Sequence, residues 1–372
     1  MNKVLIIGGG VIGLSLAREL KKKGIEQITI LEQSEVGKES SYAAGGMLAV
    51  HAETNKFDDF FYFCNESLNL YSDFAGELFD ETGIDIELDK AGTLYLSFND
   101  DDVREIRERF EWQKEAGLAV EHLSATEIHK LEPFCSPDVL EGLFFPNDWQ
   151  VENRKLLQAL QIYCRLNEVE IIENTQVTNI LKENGKIVGI QADSNKFLAE
   201  AVILATGAWT SLIKADGFLL PKVKPIRGQM ISFNTAKRLF SKVIYSPRGY
   251  LIPRQDGRIL VGATSEDAGF DKKITEFANQ ILRETALEIA PSLVNLEINE
   301  SWTGLRPLAS DSLPVLGGIA ENIFVATAHY RNGILLAPIT AKIMAEKVVN
   351  NSDSRYFEAF SPNRFQTAKV SK

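Results

Sequence analysis

The chain has 372 residues, a length that fits about two domains of roughly 100–200 residues each. Hydrophobic residues make up 45% of it, which is enough to bury real cores and excludes wholesale disorder. The formal net charge is −11 at pH 7, which argues against a nucleic-acid partner and against general attraction to anionic lipid.

Cysteines and histidines are too few and too scattered to predict a metal site or a disulfide framework. Cys64, Cys135 and Cys164 lack CxxC spacing, and the four histidines form no HxxxH or HExxH pair. The apolar run at 4–7 is too short for a signal peptide, and no stretch approaches the roughly 18 apolar residues of a membrane span. We therefore expect a cytoplasmic protein without a metal or an integral membrane segment.

The first 31 residues predict a strand, a glycine-rich turn, a helix and a second strand. Residues 4–7 (VLII) are an apolar run typical of a buried parallel strand. The GGGVIG run at 8–13 matches G-x-G-x-x-G, and 14–23 has the pattern of a helix that Gly24 ends. The second strand is 28–31 (ITIL). This order is that of a dinucleotide-binding βαβ unit.

Each residue of this unit has a physical role. Gly8 permits a tight turn, Gly10 lets the backbone approach a pyrophosphate, and Gly13 allows the helix and strand to close up. Glu32, 19 residues after Gly13, can accept both ribose hydroxyls and disfavours the 2′-phosphate of NADP. The unit predicts a dinucleotide but does not choose between NAD and FAD.

Small residues dominate the next segment, 40–48 (SSYAAGGML). Such a run suits backbone that lies close to a flat ligand, with hydroxyls for phosphates, and a plain surface loop is the alternative. Residues 58–82 and 101–116 then predict helices with mixed faces, and 93–98 (TLYLSF) predicts a strand outside the βαβ pattern.

The middle of the chain predicts a strand pair followed by a buried strand. Residues 170–172 (EII) and 186–190 (KIVGI) are interpreted as the amphipathic pair, with a hairpin turn at 183–185 (ENG). The buried strand, 201–204 (AVIL), ends in Ala-Thr-Gly at 205–207.

Three further segments, 230–233, 249–253 and 258–262, predict antiparallel strands, with a QDG hairpin turn at 255–257 between the last two. Residues 272–290 predict a helix.

Near the end of the chain, a strand at 322–327 leads into a glycine-containing turn and a helix that begins at about 334. The positive end of that helix dipole is suited to an anionic group.

Four segments carry a resemblance to a known family: residues 8–32, 205–207 (ATG), 302–307 (WTGLRP) and 329–334 (HYRNGI). In this order they resemble the D-amino acid oxidase superfamily of FAD-dependent oxidoreductases. Within it the glycine oxidase branch of thiamine biosynthesis is most similar, particularly at AGGML (44–48) and RNGILLAP (331–338). The resemblance spans essentially the whole chain.

The resemblance implies an α/β and α+β fold, in which a Rossmann-like FAD-binding domain accompanies a substrate domain with a mixed or antiparallel sheet. The FAD-binding domain would comprise residues 1–85, 147–225 and 305–372. The substrate domain would comprise residues 86–146 and 226–304.

The implied cofactor is FAD, bound non-covalently. Members that link FAD covalently use a cysteine near the C-terminal glycine run, and residues 326–333 contain none. The residues that the resemblance implies for FAD binding are Gly8, Gly10, Val11, Ile12, Gly13, Glu32, Gln33, Ser40, Ser41, Gly45, Gly46, Met47, Val177, Thr206, Gly207, His329, Arg331, Asn332, Gly333 and Ile334.

Substrate contacts are implied for Arg306, Tyr250, Met47 and Tyr330. Arg306 would pair bidentately with the substrate carboxylate, and the Tyr250 hydroxyl would also bond it. The alternative for Arg306 is a surface or interdomain ion pair, and the alternative for Tyr250 is a core tyrosine. For Arg331, the alternatives to a place near the flavin are a helix cap and a structural ion pair.

Two positions depart from the glycine oxidase pattern. Ser265 stands where a methionine is expected, and Arg248 stands where a histidine is expected. We expect both changes to make the pocket more polar and to bear on specificity.

The resemblance implies oxidative deamination of a small amino acid: glycine, sarcosine or a D-amino acid. Hydride transfer to flavin N5 requires mainly orientation and a neutral amine, so we expect no side-chain acid or base. O₂ is the expected acceptor, giving H₂O₂. The alternatives are a dehydrogenase that passes electrons to a quinone or carrier, and a non-catalytic flavin-binding subunit. The oligomeric state is left open, a homo-oligomer included.

Overall fold

A computed structural model describes residues 1–183, 186–215 and 219–365. The strands are β1 Lys3–Ile7, β2 Gln27–Leu31, β3 Met47–Leu48, β4 Thr93–Leu96, β5 Glu121–Ser124, β6 Glu141–Phe145, β7 Trp149–Gln150, β8 Glu170–Ile172, β9 Val177–Glu183, β10 Lys186–Ala192, β11 Asn195–Leu198, β12 Ala201–Leu204, β13 Val223–Asn234, β14 Val243–Ser246, β15 Gly249–Pro253, β16 Arg258–Gly262, β17 Glu300–Ala309, β18 Val315–Ala320 and β19 Ile323–Thr327.

The helices are α1 Val11–Lys22, α2 Ser40–Ala43, α3 Val50–Glu53, α4 Asp59–Thr82, α5 Asp100–Glu115, α6 Ala125–Leu131, α7 Asn153–Leu166, α8 Glu276–Ile289, α9 Gly333–Asn350 and α10 Tyr356–Ala359. Short 3₁₀ helices span Gly207–Leu212, Pro291–Asn295 and Pro362–Phe365.

The first of two large sheets has six strands in the order β18-β19-β12-β1-β2-β8. Its strands are parallel apart from β18, which runs antiparallel to β19. Val4 and Ile6 pack with α1, α4, α7 and α9, whereas Leu5 and Ile7 pack against β9 and β10. Because β1 is covered on both faces, all four residues must be apolar, which explains the uninterrupted VLII run.

The second large sheet has eight strands in the order β17-β13-β16-β15-β14-β4-β6-β5. Successive side chains along each strand point to opposite faces of this sheet. Ile231 and Leu251 pack in a core shared with α8, while their neighbours Met230 and Tyr250 belong to a second apolar cluster on the opposite face. The pleat therefore directs Met230 and Tyr250 away from α8.

These two sheets confirm the predicted fold class, which combines a Rossmann-like α/β unit with a mixed, mainly antiparallel sheet. The longest strand pair, β13 with β17, is in register from Val223–Ala309 to Ser232–Glu300. It therefore crosses the predicted domain boundaries near 225 and 304, and the division into five segments stays a prediction.

Most predicted elements occur near their expected positions. The helix after the glycine turn begins at Val11 rather than 14, and Gly24 follows it with φ of +85°. β15 and β16 pair antiparallel around the predicted QDG turn. The helix expected over 272–290 is shorter, because Thr275 caps it by accepting a hydrogen bond from the Ala278 N–H.

The predicted strand pair at 170–172 and 186–190 is wrong. β8 lies parallel to β2 at the edge of the six-stranded sheet, and β10 instead pairs antiparallel with β9. β9 was not predicted because its residues are mostly polar and only Ile180 is buried. In the proposed turn, Asn184 and Gly185 lie outside the described residues.

Across residues 1–183, 186–215 and 219–365, no helix is both long enough and apolar enough to cross a membrane.

Candidate active site

A deep cavity is lined by residues from both large sheets. The six-stranded sheet contributes residues at the carboxyl ends of β1, β12 and β19, where parallel sheets commonly bind ligands. The eight-stranded sheet contributes residues of β13, β15 and β17. Every predicted cofactor and substrate residue lines this cavity except Gly13.

The glycine turn after β1 has the geometry expected for close backbone approach. Gly8 adopts φ of +104°, and a Cβ there would lie 2.4 Å from the Ala205 carbonyl oxygen. A Cβ on Gly13 would lie 2.0 Å from the Gly8 carbonyl oxygen. Gly13 is therefore outside the cavity because it serves the packing of α1 against β1, as expected.

The N-terminus of α1 opens toward the cavity. Gly10 is its N-cap residue and offers no side-chain cap. The Ser41 hydroxyl accepts a hydrogen bond from the Val11 N–H at 3.0 Å. The remaining N–H groups of the first turn lack intrahelical partners and, with the positive end of the dipole, favour an anionic group such as a pyrophosphate.

Glu32 connects the end of β2 to the glycine turn. Its carboxylate accepts hydrogen bonds from the Gly9 N–H at 2.8 Å and the Ser34 N–H at 3.0 Å. The side chain is buried yet lines the cavity. Since a carboxylate has about four acceptor positions, capacity remains for ribose hydroxyls, and that role stays a prediction.

The segment of small residues at 40–48 is a cavity wall, so the alternative of a plain surface loop is wrong. The buried guanidinium of Arg254 donates hydrogen bonds to the carbonyls of Gly45 and Val151, each at 2.8 Å. Gly45, Gly46 and Met47 line the cavity. Arg254, which does not itself line the cavity, thus holds the backbone of this wall in place.

A third wall comes from the turn between β19 and α9. His329, Tyr330, Arg331, Asn332 and Gly333 line the cavity, and the N-cap residue Asn332 makes no side-chain cap. The first N–H groups of α9 are therefore a second dipole-positive end aimed at the cavity.

His329 is fully enclosed, and burial lowers its pKa to about 3. Its Nε2 lies 3.1 Å from the Thr340 hydroxyl. The imidazole is therefore neutral in the folded protein at neutral pH.

This burial predicts a loss of stability in acid. The His329 imidazole takes up a proton near pH 6.5 in the unfolded chain and only near pH 3 in the folded chain. The stability that the neutral imidazole contributes is therefore complete above pH 6.5 and falls as the pH drops toward 3. Between pH 6.5 and 5 the loss amounts to about 2 kcal/mol. Urea unfolding at pH 7 and 5 should therefore show a smaller pH effect for His329→Gln than for the wild type. Equal pH effects in the two proteins would contradict this assignment.

Arg306 and Tyr250 line the cavity from β17 and β15 of the eight-stranded sheet. Arg306 Nη1 donates to the Thr264 carbonyl oxygen at 3.0 Å, and among the described residues no carboxylate forms an ion pair with Arg306. Burial raises the pKa of Tyr250, and the neighbouring Arg306 opposes that rise. The Tyr250 hydroxyl therefore stays protonated, accepts a hydrogen bond from Arg306 and keeps its own proton to donate.

Gly228 makes room for that guanidinium. β13 and β17 place Gly228 directly opposite Gly304, two residues along from the Arg306 pairing. A Cβ on Gly228 would lie 2.3–2.5 Å from the guanidinium atoms of Arg306. Glycine inside a strand is a known sign of close approach, but the strand predicted from the sequence begins at 230, so the signal was missed.

Arg331 differs from Arg306 because its charge is already paired. Arg331 Nη2 donates to Glu53 Oε1 at 2.9 Å and to the Tyr245 hydroxyl at 2.7 Å. The ion-pair alternative for Arg331 is therefore present in the structure, together with its place on the cavity wall. No local sequence pattern singles out Glu53 or Tyr245.

The expectation that Arg248 and Ser265 make the pocket more polar is wrong, since neither lines the cavity. The Arg248 guanidinium is held by the carboxylates of Asp102 and Glu288, and Ser265 is exposed to solvent. Neither side chain therefore contributes to the polarity of the cavity wall.

The cysteines also lie away from the cavity. Cys64, Cys135 and Cys164 are buried free thiols, and burial raises the pKa of each. Within the described part of the chain, no cluster of three or more His, Cys, Asp or Glu residues could hold a metal ion.

The cavity as a whole fits FAD. The Glu32 carboxylate lines it, the first turns of two helices line it without a cap from their own N-cap residues, and glycines permit close approach of the backbone. FAD when bound supplies a ring that accepts a hydride.

Comparison with known proteins agrees with this geometry. The family model DAO, described as FAD dependent oxidoreductase, matches residues 3–347. A glycine oxidase from Bacillus licheniformis is 33% identical, over 97% of this chain and 96% of its own length. The crystal structure of glycine oxidase from Geobacillus kaustophilus superposes with a TM-score of 0.92 at 30% identity, covering 97% of this chain and 98% of that one.

A further relative is longer. The bifunctional protein ThiO/ThiG of Nostoc sp. is 34% identical over 98% of this chain, which spans only 55% of that protein. Because the family model covers nearly the whole sequence and the fold agrees, the chain belongs to the DAO family of FAD-dependent oxidoreductases.

Proposed function

We propose that this protein oxidises a small α-amino acid, such as glycine, sarcosine or a D-amino acid, to the imino acid. O₂ is the acceptor and takes up the two electrons and two protons as H₂O₂. The glycine oxidase relatives support a small amino acid as the substrate.

The unpaired guanidinium of Arg306 is the observation that carries this proposal. A buried or half-buried arginine normally finds a carboxylate, because an unpaired charge is costly to desolvate. Arg306 bonds the Thr264 carbonyl and the Tyr250 hydroxyl, but within the described residues no carboxylate pairs with it, although it lines the cavity. A substrate carboxylate would complete a bidentate pair with the guanidinium.

Orientation is the main contribution of the protein in this proposal. Arg306 and the Tyr250 hydroxyl would hold the carboxylate and so would limit the orientations in which the Cα–H bond could meet the bound cofactor. Met47 and Met230 add apolar side chains to the cavity wall, and Met230 belongs to the same apolar cluster as Tyr250. Glu53 is engaged with Arg331, so the proposal assigns no side chain as a general acid or base.

An anaerobic substrate panel tests this function. The purified FAD-loaded protein is mixed with glycine, sarcosine, D-alanine and, as a control, ethylamine, which lacks the carboxylate. We expect loss of the visible flavin absorbance with the amino acids and not with ethylamine. Peroxide should then appear on admission of air.

The outcomes separate the alternatives. Bleaching without peroxide, but with reduction of an added quinone or dye, would indicate a dehydrogenase. A flavin that no amine bleaches would contradict the proposed function and favour a non-catalytic flavin-binding subunit.

A further inference from the structure

Two guanidinium groups line the cavity, but their surroundings differ in charge. Arg306 is unpaired, while Arg331 is bonded to the carboxylate of Glu53, which also lines the cavity. The Tyr245 hydroxyl donates to the same carboxylate oxygen at 2.8 Å. The Glu53 carboxylate thus neutralises the positive charge of Arg331, whereas no carboxylate of the described residues neutralises that of Arg306.

Glu53 is held firmly in this position. It is the last residue of α3, whose first N–H groups, on His51 and Ala52, each donate to the buried carboxylate of Asp148 at 2.8 Å. Arg109 donates to the carbonyls of Ala52 and Thr54 on either side of Glu53. Because the helix is fixed at both ends, its carboxylate stays beside Arg331.

The aromatic residues around Glu53 connect the two arginines. Tyr245 lies between Tyr95 and Tyr250, with ring centroids 5.5 and 5.4 Å away. Tyr250 is close enough to Arg306, Arg331 and Glu53 to be influenced by all three charges. The pair and the unpaired arginine therefore belong to one electrostatic environment.

We infer that Glu53 determines specificity by neutralising Arg331, so that the site accepts one carboxylate and rejects a second. A dicarboxylate would bring its second charge toward Glu53, and two like charges in contact repel each other. This inference rests on the proposed function, because Arg306 must hold the first carboxylate. It restricts the substrate class to amino acids with an uncharged side chain or N-substituent.

Redox-inert acids test this inference without turnover. Binding is measured as the change in the visible flavin spectrum, with malonate, succinate and glutarate each compared with the monocarboxylate of equal length: propionate, butyrate and valerate. The three dicarboxylates span different separations of the two charges. The quantity compared is the ratio of the two dissociation constants at each length.

Glu53→Gln removes the charge but keeps the shape and an acceptor for Tyr245. Arg331 then becomes free to pair with a second carboxylate, and a hydrogen bond to a charged group corresponds to roughly a tenfold or larger change in affinity. We expect the ratio to shift toward the dicarboxylate by at least about tenfold at one or more lengths. Iminodiacetate oxidation should rise relative to sarcosine oxidation in the same variant.

Two controls separate charge from structure. Glu66→Gln removes the same charge from an exposed ion pair with Arg355 and should leave the ratio unchanged. Tyr245→Phe removes the other contact of Arg331 but keeps the Glu53 charge, so the ratio should stay within about threefold of the wild type.

Each contrary result has a distinct meaning. An unchanged ratio in Glu53→Gln would overturn this inference, and weaker glycine binding with an unchanged ratio would instead indicate that Glu53 holds the substrate amine. If the wild type binds none of the monocarboxylates, the carboxylate clamp of the proposed function fails as well.

Discussion

Arg306→Ala should raise KM for glycine by on the order of 10²-fold, because a hydrogen bond to a charged group is worth about 2–3 kcal/mol and each 1.4 kcal/mol is tenfold. The loss should be larger for the amino acid than for any ligand without a carboxylate. The measurement is steady-state peroxide formation over a range of glycine concentrations, together with the flavin content of each preparation.

Arg306→Lys is the matched variant. Lysine keeps the positive charge but presents a single point of contact instead of a planar fork. Its KM should lie between those of the wild type and Arg306→Ala. Arg104→Ala, which removes an exposed arginine paired with Asp101, should behave as the wild type.

A KM that Arg306→Ala leaves unchanged, in a variant with full flavin content, would remove the carboxylate role from Arg306. The contacts of Arg306 with the Thr264 carbonyl and the Tyr250 hydroxyl would then be structural hydrogen bonds.

Glu32→Ala should release FAD. The substitution deprives the N–H groups of Gly9 and Ser34 of their acceptor, and an unsatisfied buried group costs about 1–3 kcal/mol. The expected ribose contacts are lost as well. We expect the dissociation constant for FAD to rise at least about 10²-fold, measured by fluorescence titration of the apoprotein.

FMN distinguishes the two causes, because it lacks the adenosine ribose. If Glu32 binds that ribose, the variant should lose affinity for FAD much more than for FMN. Equal losses would instead indicate a general collapse of the glycine turn. Ser34→Ala removes only a hydroxyl 3.3 Å from the carboxylate and keeps the backbone hydrogen bond, so it should retain FAD.

The predictable parts of the site depend on residues close together in the chain. The turn at Gly8, the packing role of Gly13 and the position of Glu32 all follow from the spacing within one βαβ unit. Helix and strand periods likewise place α1, α4 and β15 within a few residues of where the structure has them.

The failures concern pairing between distant segments. β8 was assigned to the wrong partner, because an isoleucine pair after a glutamate is compatible with either a sheet edge or a hairpin. Gly228 makes room for Arg306 on the neighbouring strand, and Glu53 reaches Arg331 over 278 positions of sequence. No window of local sequence contains both partners.

The amino-acid sequence by itself determined the nucleotide-binding unit, the family resemblance and the candidate residues, since each depends on residue type and spacing. The tertiary structure alone decided which charges are free. Arg248 and Arg331 are paired with carboxylates, whereas Arg306 lines the cavity with only neutral partners, a backbone carbonyl and the Tyr250 hydroxyl. Three arginines of equal intrinsic charge differ in what they can bind, because that depends on which acids the fold brings within about 4 Å.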